Sequence, residues 1–140
     1  MNKITAETEF LIIGLGVIGG SYAEALSRKG YKVKAITKEQ KDIDYALQKK
    51  MISEGTTEID KDMIKNADII VFALYPHILI EWLENNQQYI SPGTLITDVT
   101  GVKSAVVPKV QSLLRPDLEF IASHPMAGRE SRGIEYADGN

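Results

Sequence analysis

The sequence predicts an α/β fold: a doubly wound, mainly parallel sheet with helices on both faces. Three observations predict it. The apolar runs are short and rich in Ile and Val. Stretches of helical period separate them, as in successive βαβ units. The first run also opens into its helix through a glycine-rich turn. A strand apolar along its whole length is buried on both faces, and that demands helices above and below the sheet.

Each element follows from local pattern. Glu9 to Ile13 reads as a first buried strand. Val17 to Lys29 reads as its helix, with Ile18, Tyr22, Ala25 and Leu26 recurring at helical spacing. Arg28 and Lys29 suit a helix C-terminus, and Gly30 suits the left-handed cap behind them. Tyr31 to Ile36 is a second strand. Lys38 to Lys50 is a polar helix with a modest apolar face of Ile43, Ala46 and Leu47. A short strand is expected around Ile52 to Glu54, and a brief helix over Asp60 to Asn66. Asp68 to Ala73 is a buried strand. Pro76 suits the first turn of the next helix, about Ile78 to Gln87. Pro92-Gly93 is a turn, and Thr94 to Asp98 a fifth strand. Lys103 to Leu114 is helical, with Pro108 expected to kink or restart it. Leu118 to Ala122 is a sixth strand, and a polar, glycine-containing loop runs from Ser123 to Gly133.

Composition narrows the function. The 140 residues suit one domain, and a hydrophobic fraction of 44% supplies a core without a disulfide or metal staple. With no cysteine, thiol catalysis, cysteine zinc sites and disulfide scaffolds are excluded. The net charge is −3, and the bases are scattered among acids, as in Lys38-Glu39-Gln40-Lys41-Asp42. Such runs are ordinarily solvated helix faces, and no basic stripe marks a nucleic-acid partner. Phe10 to Ile13 is too short for a signal segment or a membrane span. No nucleic acid and no membrane are expected as partners, and a cytoplasmic location is.

Gly14-Leu15-Gly16-Val17-Ile18-Gly19 matches G-x-G-x-x-G between a buried strand and a helix, the context that gives this pattern meaning. The first glycine allows the tight turn, the second lets backbone approach a pyrophosphate, and the third lets helix and strand pack closely. The N–H groups at the helix start then face the anion, helped by the helix dipole. These six residues are therefore candidate cofactor contacts in a Rossmann-type dinucleotide-binding domain. The alternative is a glycine-rich corner without a ligand. Leu74, directly beyond the fourth strand, and Thr100, beyond the fifth, join the candidate set.

The second strand ends Ala35-Ile36-Thr37-Lys38. NAD-binding versions place Asp or Glu about 20 residues beyond the loop, on the ribose 2′-hydroxyl. Here Thr37 stands in its place with Lys38 beside it and Lys41 nearby, groups that suit a 2′-phosphate. NADP is slightly favoured over NAD. Glu39 is the acid that would reverse this if the strand ended later, and both lysines also read as plain surface charges.

Ser123-His124-Pro125-Met126-Ala127-Gly128 resembles the H-P-[MI]-A-G motif of prephenate and arogenate dehydrogenases. Three further segments are in register with that family: Gly19-Gly20-Ser21, Thr97-Asp98-Val99-Thr100-Gly101-Val102-Lys103, and Glu130-Ser131-Arg132-Gly133. The resemblance spans essentially the whole chain. It implies an NAD(P)-dependent enzyme of tyrosine biosynthesis that oxidises prephenate, or its amino counterpart arogenate. The ring carbinol hydrogen leaves as hydride, the hydroxyl loses its proton, and carbon dioxide departs as the ring becomes aromatic. The product from prephenate is 4-hydroxyphenylpyruvate.

By the same resemblance His124 is the catalytic histidine, and an imidazole suits proton acceptance near neutral pH. Thr100, Arg129 and Glu130 are the implied substrate-side residues. Thr100 offers a hydroxyl where some family members have serine at the position of Gly101. Glu130 reads equally as a loop acid, and Arg129 and Arg132 as attractors of a dicarboxylate. His77, at the start of the helix after the fourth strand, is the rival histidine, with a structural or peripheral cofactor role favoured. The family's helical C-terminal domain, through which full-length members are expected to form homodimers, has no counterpart here. Residues 1–140 are thus expected to be the dinucleotide-binding domain, truncated at its C-terminal end and weakly active or inactive alone. A dinucleotide-binding module without turnover is the alternative of a different class.

Overall fold

The computed structural model describes residues 4–99 and 107–122. In chain order the elements are β1 (Glu9–Ile13), α1 (Val17–Arg28), β2 (Lys32–Ile36), α2 (Gln40–Gln48), β3 (Glu54–Thr56), α3 (Lys61–Asn66), β4 (Ile69–Phe72), α4 (Pro76–Asn86), β5 (Leu95–Asp98), α5 (Val107–Leu113) and β6 (Glu119–Ala122). One sheet runs in the order β3-β2-β1-β4-β5-β6, and its pairs are parallel. The chain winds outward from β1 to β3, returns to β4 on the other side of β1, and winds outward again. That places the topological switch between β1 and β4, where α/β sheets of this kind open a crevice at the carboxyl ends of their strands.

Strand alternation sorts the core into two layers. Phe10 and Ile12 of β1 pack with Val33, Ala35, Ile43, Ala46, Ile69 and Val71 on the α1–α2 face. Leu11 and Ile13 pack with Ile64, Ile70, Phe72, Leu79, Leu83, Ile96 and Val110 on the α3–α4–α5 face. α1 buries two small residues, Gly19 and Ala23, rather than its large ones. Ile18, Tyr22 and Leu26 lie only partly buried beside them, so the helix axis comes close to the sheet.

The order of elements matches the sequence reading, and the shifted boundaries have identifiable causes. β2 starts at Lys32, not Tyr31, because the Tyr31 N–H closes the end of α1 on the Leu26 carbonyl. Gly30 takes the expected left-handed cap, with φ +90°. α2 is shorter than expected at both ends. Glu39 is extended at its N-cap, and Lys50, with φ 61°, forms a left-handed cap that ends it. Leu47 lies outside the apolar face, 41% exposed. β3 lies later than expected because Ile52 turns into the core before the strand pairs with β2. Asp60 caps α3, its carboxylate accepting from Met63 N–H at 3.0 Å. Pro76 opens α4 directly. Pro108 falls in the first turn of the described helix Val107–Leu113, and the earlier part of the predicted helix, from Lys103, lies outside the described residues.

Arg115 ties the outer half together. Its guanidinium donates to the carbonyls of Gln87 at 2.8 Å and Ile90 at 2.9 Å, and pairs with Asp117. The Arg115 hydrogen bond holds the exposed Asp117 carboxyl below its ordinary range.

Lys50 provides a test of the capping argument. A left-handed residue with a Cβ costs about 1–2 kcal/mol, and glycine returns about 0.5–1 kcal/mol of that as chain entropy. Lys50→Gly should therefore raise the urea midpoint by the equivalent of about 0.5–1 kcal/mol, at unchanged m-value. A lowered midpoint would mean that the lysine side chain contributes more than its backbone costs.

Candidate functional site

The strand ends at the switch point are stitched together by backbone bonds. Gly14 N–H donates to Ile36 O at 2.8 Å, Ala73 N–H to Ile13 O at 2.9 Å, and Val99 N–H to Phe72 O at 3.0 Å. Above them lies a cleft of about 760 Å³. Its floor and one wall are the glycine turn, Gly14 through Gly19. Thr37 and Lys38 border it beyond β2, and Leu74 beyond β4. Every described member of the cofactor set read from sequence therefore lines one cavity.

The glycines differ in what they permit. Gly14 is left-handed at φ +96°, and a Cβ on it would stand 2.7 Å from the Ala73 carbonyl oxygen. A Cβ on Gly19 would overlap the Gly14 carbonyl oxygen and approach Ala73 Cβ at 3.2 Å. These two positions let α1 start against the end of β1. Gly16 has open space where its Cβ would be, so backbone there is approachable from the cleft. No side chain caps α1, and its first turn contains no acid. The N–H groups at a helix start have no partner within the helix, so the turn presents donors to an anion. The site therefore fits a pyrophosphate: close approach at Gly16, donors at the helix start, and no acid in that first turn.

The rest of the cleft is mostly apolar. Ile59, Ile78 and Trp82 line it, together with Thr57, Tyr75 and Pro76. Sequence reasoning does not single these out. Trp82 stacks edge-on to Phe72 with ring centroids 5.0 Å apart. Ile59 lies in a short connection that no motif marks, while Ile78 and Trp82 sit on α4. Among the described residues of the cleft wall Lys38 is the only charged side chain, and no carboxylate is present.

Other candidates lie elsewhere. Glu39 and Lys41 are exposed and do not border the cleft. β2 ends at Ile36, so the later end that would have brought Glu39 into play does not occur. His77 is exposed in the first turn of α4 and likewise stands off the cleft wall. Thr100, Gly101, His124, Arg129, Glu130 and Arg132 lie outside the described residues. Among the described residues no cluster of His, Asp or Glu could hold a metal ion, and no helix is long and apolar enough to cross a membrane.

Sheet order, switch-point cleft and glycine turn define a Rossmann-type, dinucleotide-binding class of domain. Comparison with known proteins makes this specific. The family described as "Prephenate dehydrogenase, nucleotide-binding domain" matches residues 22–140. The chain belongs to that family. The match begins after the glycine turn and includes the segment around His124.

A prephenate dehydrogenase of Lactococcus lactis subsp. cremoris is 31% identical over 94% of this chain and 38% of its own length. The crystal structure of prephenate dehydrogenase from A. aeolicus, in complex with hydroxyphenyl propionate and NAD+, superposes with a TM-score of 0.77 at 28% identity. That match covers 90% of this chain and 44% of the other. Arogenate dehydrogenase of Synechocystis gives a TM-score of 0.72 at 26% identity, over 82% of this chain and 40% of the other. The chain thus spans less than half the length of each of these relatives.

The steric reading of the turn predicts a graded response. Gly19→Ala places its methyl against backbone and should cost about 1–3 kcal/mol or more, with loss of dinucleotide binding. Gly20→Ala, one residue on, meets only the flexible end of Met51 at 3.5 Å and should leave both properties intact. Thermal melts and a binding titration of the two variants check this. Equal behaviour of the pair would refute the close-packing account.

Proposed function

We propose that this chain is the cofactor-binding part of a prephenate dehydrogenase, which converts prephenate to 4-hydroxyphenylpyruvate and carbon dioxide with reduction of NAD(P)+. The single observation that carries the reading is the cleft at the β1–β4 switch, which combines a close-packed glycine turn with a wall free of carboxylates among its described residues. Membership of the family and the NAD+ named with the A. aeolicus enzyme support it. When bound, the nicotinamide cofactor supplies the hydride acceptor.

The chain's own residues take the remaining tasks. The turn Gly14 through Gly19 receives the pyrophosphate, on backbone donors from Gly16 onward, and Leu74 and Thr100 border the cofactor. Thr37 and Lys38 face the ribose. With Lys38 the only charged group among the described residues of the wall, a 2′-phosphate is favoured and NADP is preferred over NAD. His124 accepts the proton of the substrate's ring hydroxyl, while Thr100, Arg129 and Glu130 contact the substrate. Arogenate is the alternative substrate, supported by the likeness to the Synechocystis enzyme. A further domain completes the site and makes the homodimer contacts, consistent with relatives more than twice as long.

Calorimetric titration of the chain with NADP+ and NAD+ tests the cofactor reading: both bind, NADP+ more tightly. Tighter NAD+ would remove the assignment of Lys38. Prephenate turnover by the 140 residues alone should be weak or nil, and brisk turnover would overturn the division of labour. In a complete enzyme, His124→Ala should lower kcat about 10²–10⁴-fold with cofactor affinity little changed. An unchanged rate would take His124 out of the catalytic role.

A further inference from the structure

Thr37 occupies a more constrained place than a ribose contact requires. Its hydroxyl oxygen accepts a hydrogen bond from Leu15 N–H at 3.1 Å, across 22 residues of sequence. Its own N–H donates to Thr56 O at 3.1 Å, at the end of β3. One residue earlier, Ile36 O accepts from Gly14 N–H at 2.8 Å. The glycine turn is therefore held by two successive bonds, one from backbone and one from a side chain. Thr37 itself is anchored from the far side by β3.

A threonine hydroxyl has two acceptor lone pairs and one donor. Leu15 takes one lone pair, and the O–H remains to donate toward the cleft that Thr37 borders. Leu15 N–H is committed to Thr37, so the donors the turn presents to an anion begin at Gly16. That commitment sets the turn's shape before a ligand arrives, and ordering completed in advance does not count against binding.

We infer that Thr37 is a positioning residue for the pyrophosphate loop, acting on affinity for every dinucleotide and not only on the choice of ribose. The inference rests on the dinucleotide reading of the cleft, but not on the preference for NADP. Selectivity between the two cofactors falls to Lys38, the charged group beside it.

The test compares Thr37→Val, Thr37→Ser and Lys38→Ala with the unaltered 140-residue chain, titrated with NADP+, NAD+ and ADP-ribose. ADP-ribose has the pyrophosphate but no 2′-phosphate. Losing one hydrogen bond of ordinary strength should raise Kd about three- to tenfold. For Thr37→Val that factor should be common to all three ligands, and Thr37→Ser should restore affinity. Lys38→Ala should weaken NADP+ alone. A ligand-free readout accompanies these. Amide exchange at Leu15 should quicken in Thr37→Val and return in Thr37→Ser, with Gly14 unchanged and thermal melts confirming the fold. A loss confined to NADP+ in Thr37→Val would overturn the inference, as would unchanged Leu15 exchange. Neutral Lys38→Ala would remove the NADP preference and leave the positioning role standing. Failure of the unaltered chain to bind any of the three would remove both.

Discussion

The contact between the Gly14 carbonyl and the Cα of Gly19 is the constraint on which the site depends. No side chain fits between them, so α1 begins directly against the end of β1. That closeness continues along the helix, where Gly19 and Ala23 are the residues it buries. A larger residue at either position would lift the helix from the sheet and move its first turn away from the switch point. Ala73, across the gap on the β4 side, completes the pinch: its carbonyl would meet a Cβ on Gly14, and its Cβ would meet one on Gly19. The crevice that the topological switch opens between β1 and β4 is thus bordered by tightly packed connections.

The two faces of the sheet contribute differently to that crevice. The α1–α2 face supplies the anion-facing helix start, held close by small residues. The α3–α4–α5 face carries the larger side chains, among them Phe72, Leu79 and Trp82. Because α4 starts at Pro76, shortly beyond the end of β4, its first turns form the opposite wall of the cleft. One side therefore provides polar backbone and the other apolar surface. That division suits a ligand with a charged middle and flat, weakly polar ends, and it arises from the winding rather than from any single residue.

Much of this architecture is legible in local sequence pattern. Runs of Ile and Val mark the strands, and period and turn residues mark the helices. G-x-G-x-x-G in its strand–helix context locates the phosphate corner. The element ends are less legible, because tertiary contacts set them: the cap of α1 takes up Tyr31, and Lys50 is left-handed without the glycine that would announce it. Ile59, Ile78 and Trp82 escape notice because apolar residues at a cleft wall carry the same pattern as apolar residues of a core. The roles implied for Thr100, Arg129, Glu130 and His124 remain those of the family resemblance, since these positions lie outside the described residues.

The sequence by itself determined the α/β class, the order of its elements and the family, because periodicity, glycine spacing and short motifs are local and survive without coordinates. Tertiary structure decided which distant groups meet. It brought Thr37 to Leu15 and left Glu39 exposed off the cleft, a distinction that turns on β2 ending at Ile36 and not further on. Strand ends are set by hydrogen bonds to neighbours far along the chain, here Thr56 and Gly14, and no local pattern encodes those partners.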